Sequence, residues 1–164
     1  MKRARYRAGQ FRDYMQPRAL RPRDMAEIRR VLPPPLMALF LRQTTGEQAH
    51  ALRVMQQLAA SDIQTGRLPL LQAALLHDVG KTRAPLSLVE RVIVVLVGRS
   101  WPWLIKHLGW RPFVIARSHA DWGAEMVAEA GAPPLTVKLV RLHQSPPAPD
   151  DTLLAALQMA DDDN

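Results

Sequence analysis

The chain has 164 residues and no cysteine. That absence removes disulfides, zinc-thiolate sites and thiol nucleophiles together, and it leaves imidazole and carboxylate as the side chains able to hold a metal. It also fits a cytoplasmic protein. Long apolar runs are missing too. The longest, Val92-Ile93-Val94-Val95-Leu96-Val97, falls far short of the roughly 20 residues that span a bilayer, so it reads as a core helix. No apolar segment follows the basic residues at the start, so they do not form a signal peptide. No alternating pattern of strand length with hairpin signals occurs, and no internal repeat. The predicted class is therefore all-α, as one domain with a sizeable core.

Acidic residues are scarce at one end only. Residues 1–30 hold ten Lys or Arg against three Asp or Glu, while residues 31–164 hold twelve of each, so the formal charge of +7 belongs to the start of the chain. Residues 1–35 are read as a basic N-terminal arm with a short helix at about 23–31, and 36–164 as the helical domain. The arm is either a solvated tail or a surface for polyphosphate, nucleic acid or an anionic membrane.

Prolines and capping patterns divide the rest. Pro33-Pro34-Pro35 precede a helix opening near Leu36. Thr44-Thr45-Gly46-Glu47 is a capping box that starts a helix through about Ala60. Pro69 opens the next helix, expected to stop at Gly80 as a left-handed cap. Ser87 to Glu90 start an apolar helix to about Val97, and Gly98 to Arg111 form an insertion holding Trp101, Trp103, His107 and Trp110. Ser118 to Asp121 resemble a capping box for a helix to about Ala130. Pro133-Pro134 start a helix to His143, and Asp150 and Asp151 cap the last one.

Within this layout Leu75-Leu76-His77-Asp78-Val79-Gly80-Lys81 is the most informative stretch. Two unpaired polar side chains among Leu, Ala and Val would cost several kcal/mol, roughly 2–7 for a neutral group and more for a carboxylate. A divalent cation compensates both residue types at once.

Here the chain resembles the HD-domain superfamily of metal-dependent phosphohydrolases. The family pattern is a His on one helix, a His-Asp dyad on a later one and an Asp on the closing helix, an order matched by His50, His77, Asp78 and Asp161. Members with two metals carry two further His between dyad and last Asp, positions matched by His119 and His143. The resemblance covers about residues 44–162 and implies an HD-type helical bundle with these six residues as metal ligands.

The residue pattern agrees with that ligand set. His50, Val54 and Leu58 share one helical stripe, Ile115 leads into His119, and Leu139 and Val140 lead into His143. Leu154 and Leu157 share a face with Asp161, which selects it over Asp162 and Asp163. With two oxygens, Asp78 can bridge two ions about 3.5–4 Å apart, leaving His50, His77 and Asp161 mostly on one and His119 and His143 on the other. The expected nucleophile is a metal-bridging hydroxide. Lys81 matches the Lys of the family's His-Asp-x-Gly-Lys motif and is read, with Asp78, as a catalytic residue that binds a phosphate oxygen. Arg83 and Arg117 are weaker phosphate candidates. The cofactor expected is one or two divalent ions among Mn, Fe, Co, Ni and Mg.

The function implied is a metal-dependent phosphohydrolase acting on a small phosphate ester or anhydride, a nucleotide being the leading substrate class. Trp101, Trp103, Trp110 or Trp122 could stack a base, though packing explains them as well. The cyclic-dinucleotide phosphodiesterase pattern is departed from, because Leu142-His143-Gln144 replaces a His-His pair and no Gly-Tyr-Pro follows. A diadenosine tetraphosphate hydrolase fits better. Two other classes remain open: an HD-type di-iron oxygenase, and a regulatory HD domain whose basic arm binds nucleic acid.

Overall fold

A computed structural model describes residues 19–84 and 109–164, with Glu90, Ile93, Val94 and Val97, and among the described residues proline stands in the first turn of five of the seven α-helices with assigned bounds. Its missing N–H has no intrahelical partner to lose there. In chain order the helices are α1 (Pro22–Val31), α2 (Pro34–Phe40), α3 (Thr45–Ala59), α4 (Arg67–Leu76), α5 (Arg111–Glu129), α6 (Pro134–Leu142) and α7 (Thr152–Asp163). A five-residue 3-10 helix, Val79–Arg83, lies between α4 and α5. No strand occurs among the described residues, so the class is all-α as the sequence predicted. No helix among them is long and apolar enough to cross a membrane.

Helix α4 is the centre of the bundle. Leu70, Leu71, Ala73, Ala74, Leu75 and Leu76 are all buried, so the helix is covered on every side rather than along one stripe. Helices α3 and α6 pack on it most extensively, α1, α2 and α7 touch it, and α5 packs on α6 and on the 3-10 helix. Its one buried polar residue, Gln72, is satisfied inside: Nε2 donates to Val31 O at 3.1 Å and Oε1 accepts from Thr136 Oγ1 at 3.1 Å. This links the end of α1 to α6 through the core and leaves no donor stranded.

Several boundaries follow the sequence. The Thr44 box forms reciprocally, with Glu47 N–H donating to Thr44 Oγ1 at 3.4 Å and Thr44 N–H to Glu47 Oε2 at 2.9 Å. Asp151 caps α7 by accepting from Leu154 N–H at 3.3 Å. The end of α5 is a Schellman turn: Gly131 at φ +79° lets its N–H reach Ala128 O and the Ala132 N–H reach Val127 O.

Three boundaries differ. Pro69 does not open α4 but sits inside its first turn, after Gly66 at the cap position. Gly80 is not a left-handed cap, since the only positive-φ residues described are Gly66 and Gly131; α4 ends at Leu76 and tightens into the 3-10 helix. Ser118 opens nothing, because α5 already starts at Arg111 with Pro112 in its first turn, and the buried Phe113 and Ile115 extend the helix back from His119. Inside the stretch read as an arm, Ile28 and Leu32 join the core beside Leu36 and Phe40. Residues 1–18 of that arm lie outside the described residues. So do Ser87, Trp101, Trp103 and His107, although Glu90, Ile93, Val94 and Val97 are helical as expected of their segment.

Candidate metal centre

The dyad occupies the C-terminal end of the most buried helix. His77 is the last cap residue of α4 and Asp78 the first residue beyond it, so both project from α4 where its ladder of hydrogen bonds gives out. Helix α5 reaches them because two glycines meet. A Cβ built on Gly80 would stand 1.9 Å from His119 O and 2.6 Å from Gly123 N, so Gly80 allows the 3-10 helix to lie directly on α5. The glycine that sequence reasoning assigned to a turn is required by close approach instead.

The six residues singled out from the sequence come together as two triads. His50, His77 and Asp161 form one, and Asp78, His119 and His143 the other; within each, the ligand atoms lie within 4.8 Å of one another. Asp78 stands between them. Its Oδ1 faces His119 Nε2 at 3.4 Å and His143 Nε2 at 3.8 Å, while its Oδ2 faces His77 Nε2 at 3.6 Å and the Lys81 ammonium at 2.5 Å.

Three of the four rings are fixed by their own helices. Nδ1 of His77 donates to Ala74 O at 2.9 Å, that of His119 to Ile115 O at 3.1 Å and that of His143 to Val140 O at 2.7 Å. A carbonyl can only accept, so each Nδ1 carries a proton and each ring turns its Nε2 inward. His119 Nε2 and His143 Nε2 then face each other at 3.3 Å as two acceptors. His77 Nε2 is buried without any hydrogen-bond partner. Three imidazole nitrogens converge on Asp78, whose Oδ2 accepts from Lys81 while its Oδ1 faces only imidazole, and a cation is what such a donor set accommodates.

Titration in the metal-free protein reflects the same arrangement. Burial works against charge on His77, but Asp78 and Asp161 overcome it and raise the imidazole to about 9. Burial together with the neighbouring His77 holds His143 down at about 4. Burial would raise Asp78 and Asp161, yet Lys81 and His77 keep the first, and His50 and His77 the second, well below the ordinary carboxylate range.

His50 and Asp161 differ from the rest in touching each other, Nε2 to Oδ1 at 2.8 Å. The last turn that carries Asp161 is clamped to α3: Gln57 Nε2 donates to Asp163 Oδ2 at 3.1 Å, and Asn164 Nδ2 donates to Gln57 Oε1 at 2.5 Å and to Ala160 O at 2.9 Å. Arg83 is turned away into a surface pair with Glu125 at 2.8 Å and lies over the Trp122 ring. Gln158, which the sequence reading passed over, holds its amide within hydrogen-bond reach of three carbonyls at and beside His143, and no local pattern in the sequence marks it.

The family model described as HD domain matches residues 48–163, a span that contains both triads. Neither a curated protein nor a solved structure matches the chain.

Proposed function

The chain belongs to the HD domain family, and from that premise we propose that it is a metal-dependent phosphohydrolase hydrolysing a small phosphate ester or anhydride, with nucleotides as the substrate class. The observation that carries this reading is the placement of Asp78, whose two oxygens are divided between the two sets of histidines. In this reading His50, His77 and Asp161 hold one divalent ion, His119 and His143 a second, and Asp78 touches both. Imidazole and carboxylate without thiolate suit Mn, Fe, Co or Ni, and Mg in an oxygen-rich half. Such ions, when bound, polarise phosphoryl oxygens and make water acidic enough to attack near neutral pH.

The chain's own residues do the remaining work. The Ala74, Ile115 and Val140 carbonyls keep three imidazoles in the tautomer that offers Nε2. The apolar wall of α4 keeps bulk water from the inner side of the cluster, which strengthens every charge interaction there. Lys81 is the cation available to a phosphate oxygen: its ammonium rests on Asp78 and its side chain is 36% exposed. A cytoplasmic setting suits a cysteine-free chain of this kind.

The test is metal analysis of the purified protein, then a phosphate-release screen over nucleotides with Mn, Co, Ni, Fe and Mg beside a His77→Ala/Asp78→Ala control. Release that depends on metal and disappears in the control is expected. Release unchanged in the control, or iron-dependent oxygen uptake with no phosphate release, would contradict the proposal.

A further inference from the structure

Gln158 lies on α7 one turn before Asp161, yet its amide reaches across to a different helix. Its Nε2 stands 3.3 Å from Leu142 O, 3.0 Å from His143 O and 2.6 Å from Ser145 O. Leu142 ends α6 and His143 caps it, where the last acceptors of a helix have no intrahelical donor and the dipole concentrates negative partial charge, and Ser145 lies in the turn just beyond. A single NH2 group answers that concentration. The ring of His143 is oriented by a separate bond, Nδ1 to Val140 O at 2.7 Å. The ring's rotation and the backbone's position are therefore fixed by different partners.

We propose that Gln158 is a positioning residue of the metal centre: by binding the backbone at His143 from the helix that carries Asp161, it sets the spacing between the two triads. The proposal rests on the metal-centre reading above. Without the amide, the end of α6 can drift from α7, and His143 Nε2, 3.8 Å from Asp78 Oδ1, is the ligand atom that moves. Gln158 touches neither substrate nor ion and acts through His143 alone.

Cobalt(II) titration of the full chain, read by visible absorption and by bound metal after dialysis, tests this. Wild type should take up two equivalents. Gln158→Ala should keep the wild-type helical circular dichroism and bind one equivalent as wild type does. The other, identified as the one abolished by His143→Ala, should weaken about 10–100-fold. Gln158→Lys, which offers an ammonium to the same carbonyls, should restore it, and Gln158→Glu, which faces them with a carboxylate, should lose it even if the alanine variant fails to fold. Two equivalents of wild-type affinity in the alanine and glutamate variants would overturn the proposal. So would equal weakening of both equivalents that lysine does not repair. Wild type taking up no cobalt would instead remove the metal-centre reading, and this proposal with it.

Discussion

The two triads have the same donor chemistry, two imidazoles and a carboxylate, but one is closed to solvent and the other is half open. Side chains of Asp78, His119 and His143 are 11%, 2% and 2% exposed, against 21% for His50 and 33% for Asp161. Donor atoms about 2.1 Å from a shared ion, at angles of 90–110°, stand about 3.0–3.4 Å apart. The inner triad has spacings of 3.3, 3.4 and 3.8 Å, two of them in that range, so a small movement of His143 toward Asp78 would let it hold a cation. The outer triad is held together by its own His50 to Asp161 hydrogen bond, which an ion must break. Buried donors retain an ion; exposed ones exchange it and leave room for substrate.

The largest effect that would break this comparison is expected at Asp78, which stands between the two triads. Asp78→Asn should lower metal-dependent phosphate release on the order of 10³-fold or more, because water activation and charge neutralisation go together. Next come variants that separate the triads. After dialysis against chelator, His50→Ala should keep one equivalent of metal and His119→Ala should keep less, as read by elemental analysis; the reverse order would invert the assignment of inner and outer sites.

Gly80→Ala sharpens the comparison through packing. The new methyl meets His119 O and Gly123 N, backbone atoms that cannot turn aside, so a loss of at least about 3 kcal/mol in denaturant unfolding is expected, with weaker metal retention at the inner triad first. Lys81→Met removes the cation resting on Asp78 Oδ2. Metal affinity at the outer triad should rise while KM for substrate rises about tenfold, a factor equal to about 1.4 kcal/mol. The smallest effect belongs to Asp151, whose carboxyl the Lys138 hydrogen bond holds below its usual value. Its stabilising contribution is whole above the unfolded carboxylate pKa and fades as pH falls through the lower folded value. Asp151→Asn should flatten that part of a pH–stability curve by a few tenths of a kcal/mol, leaving metal retention at the inner triad unchanged.

The local signals were legible where a residue acts on its immediate neighbours. Thr44 and Glu47 meet three residues apart, and the apolar stripes around His50, His119, His143 and Asp161 describe faces of single helices. All-α class and the six-residue constellation followed from such patterns and from family resemblance. What the sequence hid is non-local. Gly80 looks like a helix stop until α5 is placed against it, and Ser118 looks like a cap until Pro112 is known to have started the same helix. Gln158 carries no mark of its task, because the carbonyls it serves belong to α6. Lys81 was read as a residue that binds a phosphate oxygen, and the contact of its ammonium with Asp78 was not legible beside that reading.

Metal stoichiometry is the most direct measurement of whether the two triads hold two ions with Asp78 between them. The purified chain, reconstituted with Mn or Co and dialysed, should hold two equivalents, one of them lost in His119→Ala and in His143→Ala, and both weakened in Asp78→Asn. A single equivalent that survives His119→Ala and His143→Ala unchanged would contradict it.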